Sequence, residues 1–144
     1  MDIVIVGGGI GGLTLALNLH HAGIGCRVYE QASEIRALGV GINILPHASR
    51  ELARLRLESE LTRVSVLTRE AVFFNRFGQL IYREPLGRDA GYDDPQYSIH
   101  RSELHNVLFA AARSVSARIG SSPAGNASAS RRMRAPRRCA FATQ

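Results

Sequence analysis

Residues 2–30 read DIVIVGGGIGGLTLALNLHHAGIGCRVYE. Asp2–Val6 is a short apolar run of the kind a strand buried on both faces carries. Gly7–Gly12 follows as GGGIGG. From Ile10 to about Ala22 the apolar side chains of Ile10, Leu13, Ala16, Leu17 and Leu19 recur at helical spacing. Gly23 is placed to close that helix as its C-cap. Gly25–Glu30, GCRVYE, then reads as a second strand. Strand, turn, helix and strand together span about 30 residues, the length of a βαβ crossover.

Within that unit, Gly7, Gly9 and Gly12 occupy the three glycine places of G-x-G-x-x-G, with Ile10 and Gly11 between the last two. Each glycine has a separate task. Gly7 permits the tight turn, Gly9 lets a pyrophosphate approach the backbone, and Gly12 lets helix and strand pack closely. The helix start adds unpaired N–H groups and the positive end of a dipole. Glu30 closes the second strand 21 residues after Gly9. From there it can accept hydrogen bonds from adenosine ribose hydroxyls and disfavours a 2′-phosphate. The pattern predicts a Rossmann-like dinucleotide site and leaves NAD and FAD both open, because each carries an ADP half.

Beyond residue 30, a glycine-spotted loop at Gly39–Gly41 runs into Ile42–Leu45, and a helix is expected from Pro46 through Leu57. Residues 70–83 carry two β-rich runs, Val72–Phe74 and Leu80–Tyr82, around a turn at Asn75–Gly78. That predicts a hairpin, with Phe73, Phe74 and Phe77 as core groups. Gly87–Pro95 is a turn-rich loop. A last helix starts with Ser102 as N-cap and carries Leu104, Val107, Leu108, Ala111 and Val115 on one face. The fold class is α/β, with a βαβ unit leading into a β-rich region and the domain left incomplete.

Composition narrows the function classes. At 45% hydrophobic and 21% charged residues over 144 positions, the chain has the makings of one folded core. No run approaches ~18 apolar residues, so no membrane-spanning helix is expected. Asp2 stands where a secretory signal would carry positive charge, and Cys26 and Cys139 lack metal-ligand spacing. A cytoplasmic protein without disulfides is the expectation. No metal site and no catalytic acid–base or nucleophile constellation stands out. His20 and His21 suit the negative end of a helix, His47 reads as a surface group at a helix start, and His100 and His105 flank one. Cys26 reads as buried packing.

The net charge of +6 is not evenly spread. Residues 1–118 hold 13 Arg against 12 acids, whereas residues 119–144 hold 5 Arg, no acid, and much Ala and Ser. This last segment, IGSSPAGNASASRRMRAPRRCAFATQ, has no apolar periodicity to hold a helix or strand, and a disordered tail is expected. It could be a basic arm for nucleic acid, or unselected sequence such as a reading frame entered by a frameshift. The lack of Lys and the single aromatic, Phe141, favour the second, so a nucleic-acid partner is not expected.

Two further stretches carry a resemblance. EIRALGVGINILP at 34–46 and PQYSIHRSEL at 95–104, taken with the glycine loop, resemble the single-component FAD-dependent aromatic hydroxylases, a family that includes salicylate and para-hydroxybenzoate hydroxylases. Within it they look most like the subgroup that hydroxylates phenazine carboxylates. The resemblance covers about residues 2–118 and favours FAD over NAD as the cofactor at the glycine loop. It implies that Gly7, Gly9, Ile10, Gly11 and Gly12 hold the FAD pyrophosphate and Glu30 the ribose. It also implies that Arg36 and Arg101 contact the cofactor and that Val40 passes close to the flavin. In such enzymes NAD(P)H reduces FAD, and O2 is then used to hydroxylate a small aromatic substrate. The hairpin at 70–83 would begin the substrate-facing sheet. The family's later Asp-Gly and Gly-Asp motifs are absent from these 144 residues. The expectation is therefore an N-terminal FAD-binding portion, truncated near Ile119 and inactive by itself. The alternative is a non-catalytic nucleotide-binding module or gene remnant.

Overall fold

The computed structural model of the chain describes residues 3–30, 40–120 and 140–143. They divide into two compact units, one of Met1–Arg36 with Leu108–Gln144 and the other of Ala37–Val107.

The first unit opens with β1 (Ile3–Val6), α1 (Ile10–His21) and β2 (Cys26–Glu30). β1 and β2 pair in parallel, Ile3 opposite Cys26 and Val6 opposite Tyr29, so α1 is the crossover between them. Its apolar stripe explains the geometry. Leu13, Ala16 and Leu17 are buried, and Ile5, Ala16, Cys26 and Val28 form one core cluster with Leu19 against it. Cys26 is buried as expected. β1 differs from the doubly buried strand expected of it. Ile5 is 6% exposed, but Val4 and Val6, on the opposite face, are 58% and 88% exposed. Side chains alternate along a strand, and α1 covers only the Ile5 side. α1 ends one residue earlier than its apolar pattern predicts, with Ala22 as C-cap and Gly23 following at φ +72°.

The far edge of β2 is taken by a third parallel strand, β8 (Ala140–Thr143), so the sheet order is β1-β2-β8. This corrects the expectation that residues 119–144 hold no regular element. The last helix also runs on to Gly120. A four-residue strand has too little sequence for a periodic signal, and its pairing partner is over a hundred positions away.

The second unit holds two antiparallel sheets. β3 (Gly41–Ile44), β7 (Gln96–His100) and β4 (Ser65–Thr68) form one in the order β3-β7-β4. Ile42 lies opposite Ile99 and Ile44 opposite Tyr97, which puts the apolar residues on one face. On the other face the Ser98 hydroxyl donates to Asn43 Oδ1 at 2.8 Å and lies 2.8 Å from Thr68 Oγ1. The second sheet is the expected hairpin, β5 (Glu70–Phe74) with β6 (Leu80–Pro85). Its turn is organised by Asn75, whose Oδ1 accepts from the N–H groups of Phe77 and Gln79 at 2.9 and 3.0 Å.

Several expectations change in this unit. Residues 41–44, expected as loop, are a strand. The helix expected over 46–57 is α2 (Pro46–Arg54), followed by a separate α3 (Glu58–Val64). Between them Arg56 takes φ +61°, and such a left-handed residue ends a helix. Phe73, Phe74 and Phe77 are not core groups; they are 53%, 57% and 73% exposed. A two-stranded ribbon has no second layer of its own to bury them. The turn-rich loop contains a 3-10 turn at Gly87–Ala90, and α4 (Arg101–Gly120) begins one residue before Ser102. Ser102 is therefore inside the helix, where its hydroxyl bonds to His100 Nδ1. Leu104, Leu108 and Ala112 form the buried stripe of α4.

Candidate FAD-binding site

The glycine loop sits where β1 ends and α1 begins. Gly7 leaves the strand with φ +103°, a conformation that L side chains rarely adopt, while its N–H remains bonded to Tyr29 O at 2.7 Å. Gly12 lies in the first turn of α1. A Cβ there would stand 2.0 Å from Gly7 O and 3.3 Å from Ile5 Cγ2, so only hydrogen fits between helix and strand. Gly9 is the α1 N-cap and its carbonyl accepts from Leu13 N at 2.9 Å. A Cβ on Gly9 or on Gly11 would meet nothing within 4 Å. Those two glycines are therefore not demanded by protein packing and leave clear space beside the helix start.

Electrostatics agree with that division. No side chain caps α1, and its first turn contains no acid; the carboxylate that reaches this end comes from Glu30, on β2. Glu30, at the end of β2, places Oε2 2.6 Å from the Gly8 N–H and accepts from it. A carboxylate can accept several hydrogen bonds, so this bond is compatible with ribose recognition by the same side chain. Sequence reasoning assigned no part to Gly8. Its backbone N–H ties the loop to Glu30, and a Cβ on it would come within 3.2 Å of Glu30 Cβ. The only available signal was an acid at the end of the strand next to the loop.

Two of the remaining expected contacts belong to the second unit. Val40 and Arg101, drawn from two separate motifs, are joined in the second unit, where the Arg101 N–H donates to Val40 O at 3.0 Å. This bond extends the β3–β7 pairing by one step beyond Gly41 and His100. Arg101 is exposed at the start of α4, and Val40 is 52% exposed. Arg36 lies outside the described residues, as do Gly39 and Cys139. Among the described residues no group of three His, Cys, Asp or Glu could hold a metal ion. No described helix is long and apolar enough to cross a membrane. His20 and His21 end α1, His47 is exposed in the first turn of α2, and His105 is buried within α4.

Open space beside Gly9 and Gly11, a helix start without a side-chain cap and an acid at the end of β2 fit the ADP half of a dinucleotide. Residues 2–45 match the family described as FAD binding domain. Residues 2–45 are thus similar to an FAD binding domain. Over 113 residues it is 49% identical to phenazine 1,6-dicarboxylic acid hydroxylase of Lysobacter antibioticus, covering 78% of this chain and 28% of that protein. It is 41% identical over 110 residues to 3-amino-4-hydroxybenzoate 2-monooxygenase of Streptomyces platensis, covering 74% of this chain and again 28% of the relative. Among solved structures it is similar to Klebsiella pneumoniae HpxO complexed with FAD and uric acid, at 26% identity and a TM-score of 0.66, over 76% of this chain and 28% of that one. The two relatives are a hydroxylase and a monooxygenase, and the solved structure holds FAD. The chain spans little more than a quarter of the length of the curated relatives it matches.

Proposed function

We propose that the glycine loop binds the ADP half of FAD. The Ile10, Gly11 and Gly12 N–H groups at the start of α1 would meet the pyrophosphate, and Gly9 would give it room. Glu30 would hold the loop through Gly8 and accept from the adenosine ribose. Val40, Arg101 and Arg36 are further proposed contacts to the same cofactor, Arg101 as a guanidinium suited to phosphate oxygens. In the protein as a whole the bound flavin would supply redox chemistry with O2, and NAD(P)H would be the electron donor. The residues described in this chain would bind and orient the cofactor. A small aromatic acid is the proposed substrate class, in line with the named substrates of the hydroxybenzoate and phenazine relatives.

The observation that carries the reading is the arrangement at Gly8 and Glu30, a 2.6 Å bond that pins the loop beside an uncapped, acid-free helix start. The test is titration of the full chain with FAD, followed by flavin fluorescence. Saturable binding that ADP displaces competitively is expected. Binding of FAD that ADP leaves untouched would show that the flavin is held somewhere other than this loop.

A further inference from the structure

A cavity of about 620 Å³ lies within the second unit. The first turn of α2 lines part of it with Pro46, His47 and Arg50. That turn has no acid and no side-chain cap, so the positive end of the helix is uncompensated. Among the described residues the ion-pair partner of Arg50 is Glu51 at 3.9 Å, an exposed contact that leaves the guanidinium available. The stretch from β6 to the loop before β7 contributes the opposite charge, with Glu84, Asp93 and Asp94. Gln96 also lines the cavity. It is 5% exposed, and its carboxamide makes no hydrogen bond among the described residues. A polar ligand in this cavity would offer that carboxamide a hydrogen-bond partner.

The charges select the ligand. A simple anion would be drawn to Arg50 and the start of α2 but repelled by three carboxylates. A simple cation would meet the reverse. A molecule with both charges satisfies both sides. Tyr92, 60% exposed, and Leu45 and Pro85 add apolar surface on which a ring can lie. We propose that this cavity binds a small zwitterion, an α-amino acid with an aromatic side chain. Its carboxylate faces Arg50 and the α2 start, its ammonium faces Asp93, Asp94 and Glu84, and the Gln96 amide bonds to its polar end.

The experiment is an NMR titration of the full 144-residue chain with L-phenylalanine, 3-phenylpropionate and 2-phenylethylamine. Saturable shifts at the Arg50, Gly87 and Gly91 amides are expected with phenylalanine. The two singly charged analogues should bind about tenfold more weakly or worse. Arg50→Gln should weaken phenylalanine and phenylpropionate by about tenfold and leave phenylethylamine unchanged. Equal binding of either analogue, no saturable shift with phenylalanine, or shifts confined to other residues would overturn the proposal. FAD plays no part in the readout, so the two site assignments stand or fall separately.

Discussion

Gly9 and Gly12 belong to one motif but answer to different neighbours, and substitution should separate them. Valine at Gly9 meets no protein atom close to its Cβ, so Gly9→Val should fold with a denaturation midpoint near that of the parent. It should lose FAD affinity by roughly tenfold to a hundredfold, the cost of forcing a side chain against the ligand. Gly12→Ala is different, because its Cβ would stand 2.0 Å from a backbone oxygen. It should lower stability by about 1–3 kcal/mol in urea denaturation and lose FAD as a consequence. A Gly12→Ala chain as stable as the parent would mean that helix and strand are not packed as described. Glu30→Ala removes both the Gly8 anchor and the proposed ribose acceptor. Faster exchange of the Gly8 amide and weaker binding of ADP are expected together.

At the scale of single elements, the hairpin and the α2–α3 junction make separate statements. Asn75 holds two N–H groups of the β5–β6 turn through one oxygen. Asn75→Ala should cost the hairpin about 1 kcal/mol, read as faster hydrogen exchange at Phe77 and Gln79. On β6, the Tyr82 hydroxyl donates to Glu84 Oε2 at 3.2 Å. That hydrogen bond, with the negative charge of Glu84, raises the Tyr82 phenol above its ordinary value. The raised group favours the folded hairpin below the ordinary tyrosine pKa, and the preference is lost as pH climbs through the raised one. Absorbance titration should therefore show one tyrosine ionising late, and Glu84→Gln should return it to the ordinary range. The hairpin itself was legible in the sequence because its signal is local, two β-rich runs about a turn. The exposure of its phenylalanines was not, since hydrophobicity along a strand does not say whether a second layer exists.

At the scale of the molecule, contacts within the first unit differ in how far along the chain they reach. The βαβ crossover is assembled from neighbours in sequence, whereas β8 reaches β2 from residues 140–143. Deleting residues 121–144 removes β8 and leaves β2 with an open edge. The deletion should lower the thermal midpoint and increase self-association by light scattering. If the deleted chain melts unchanged and stays monomeric, β8 contributes nothing to the sheet.

The sequence by itself determined the crossover, the glycine places, the acid at the end of the second strand and the hairpin turn. Each depends on backbone sterics or periodicity within a few tens of residues, and both are written in residue order. Tertiary structure alone decided that Val40 and Arg101 meet, that Gly8 is held by Glu30, that Ser98 bridges Asn43 and Thr68, and that 140–143 form a strand. It also decided that α2 ends at Arg54 and that charges from residues 47–50 and 84–94 line one cavity. Hydrogen bonds and charge pairing between distant segments depend on where the chain returns in space, and no local pattern records that.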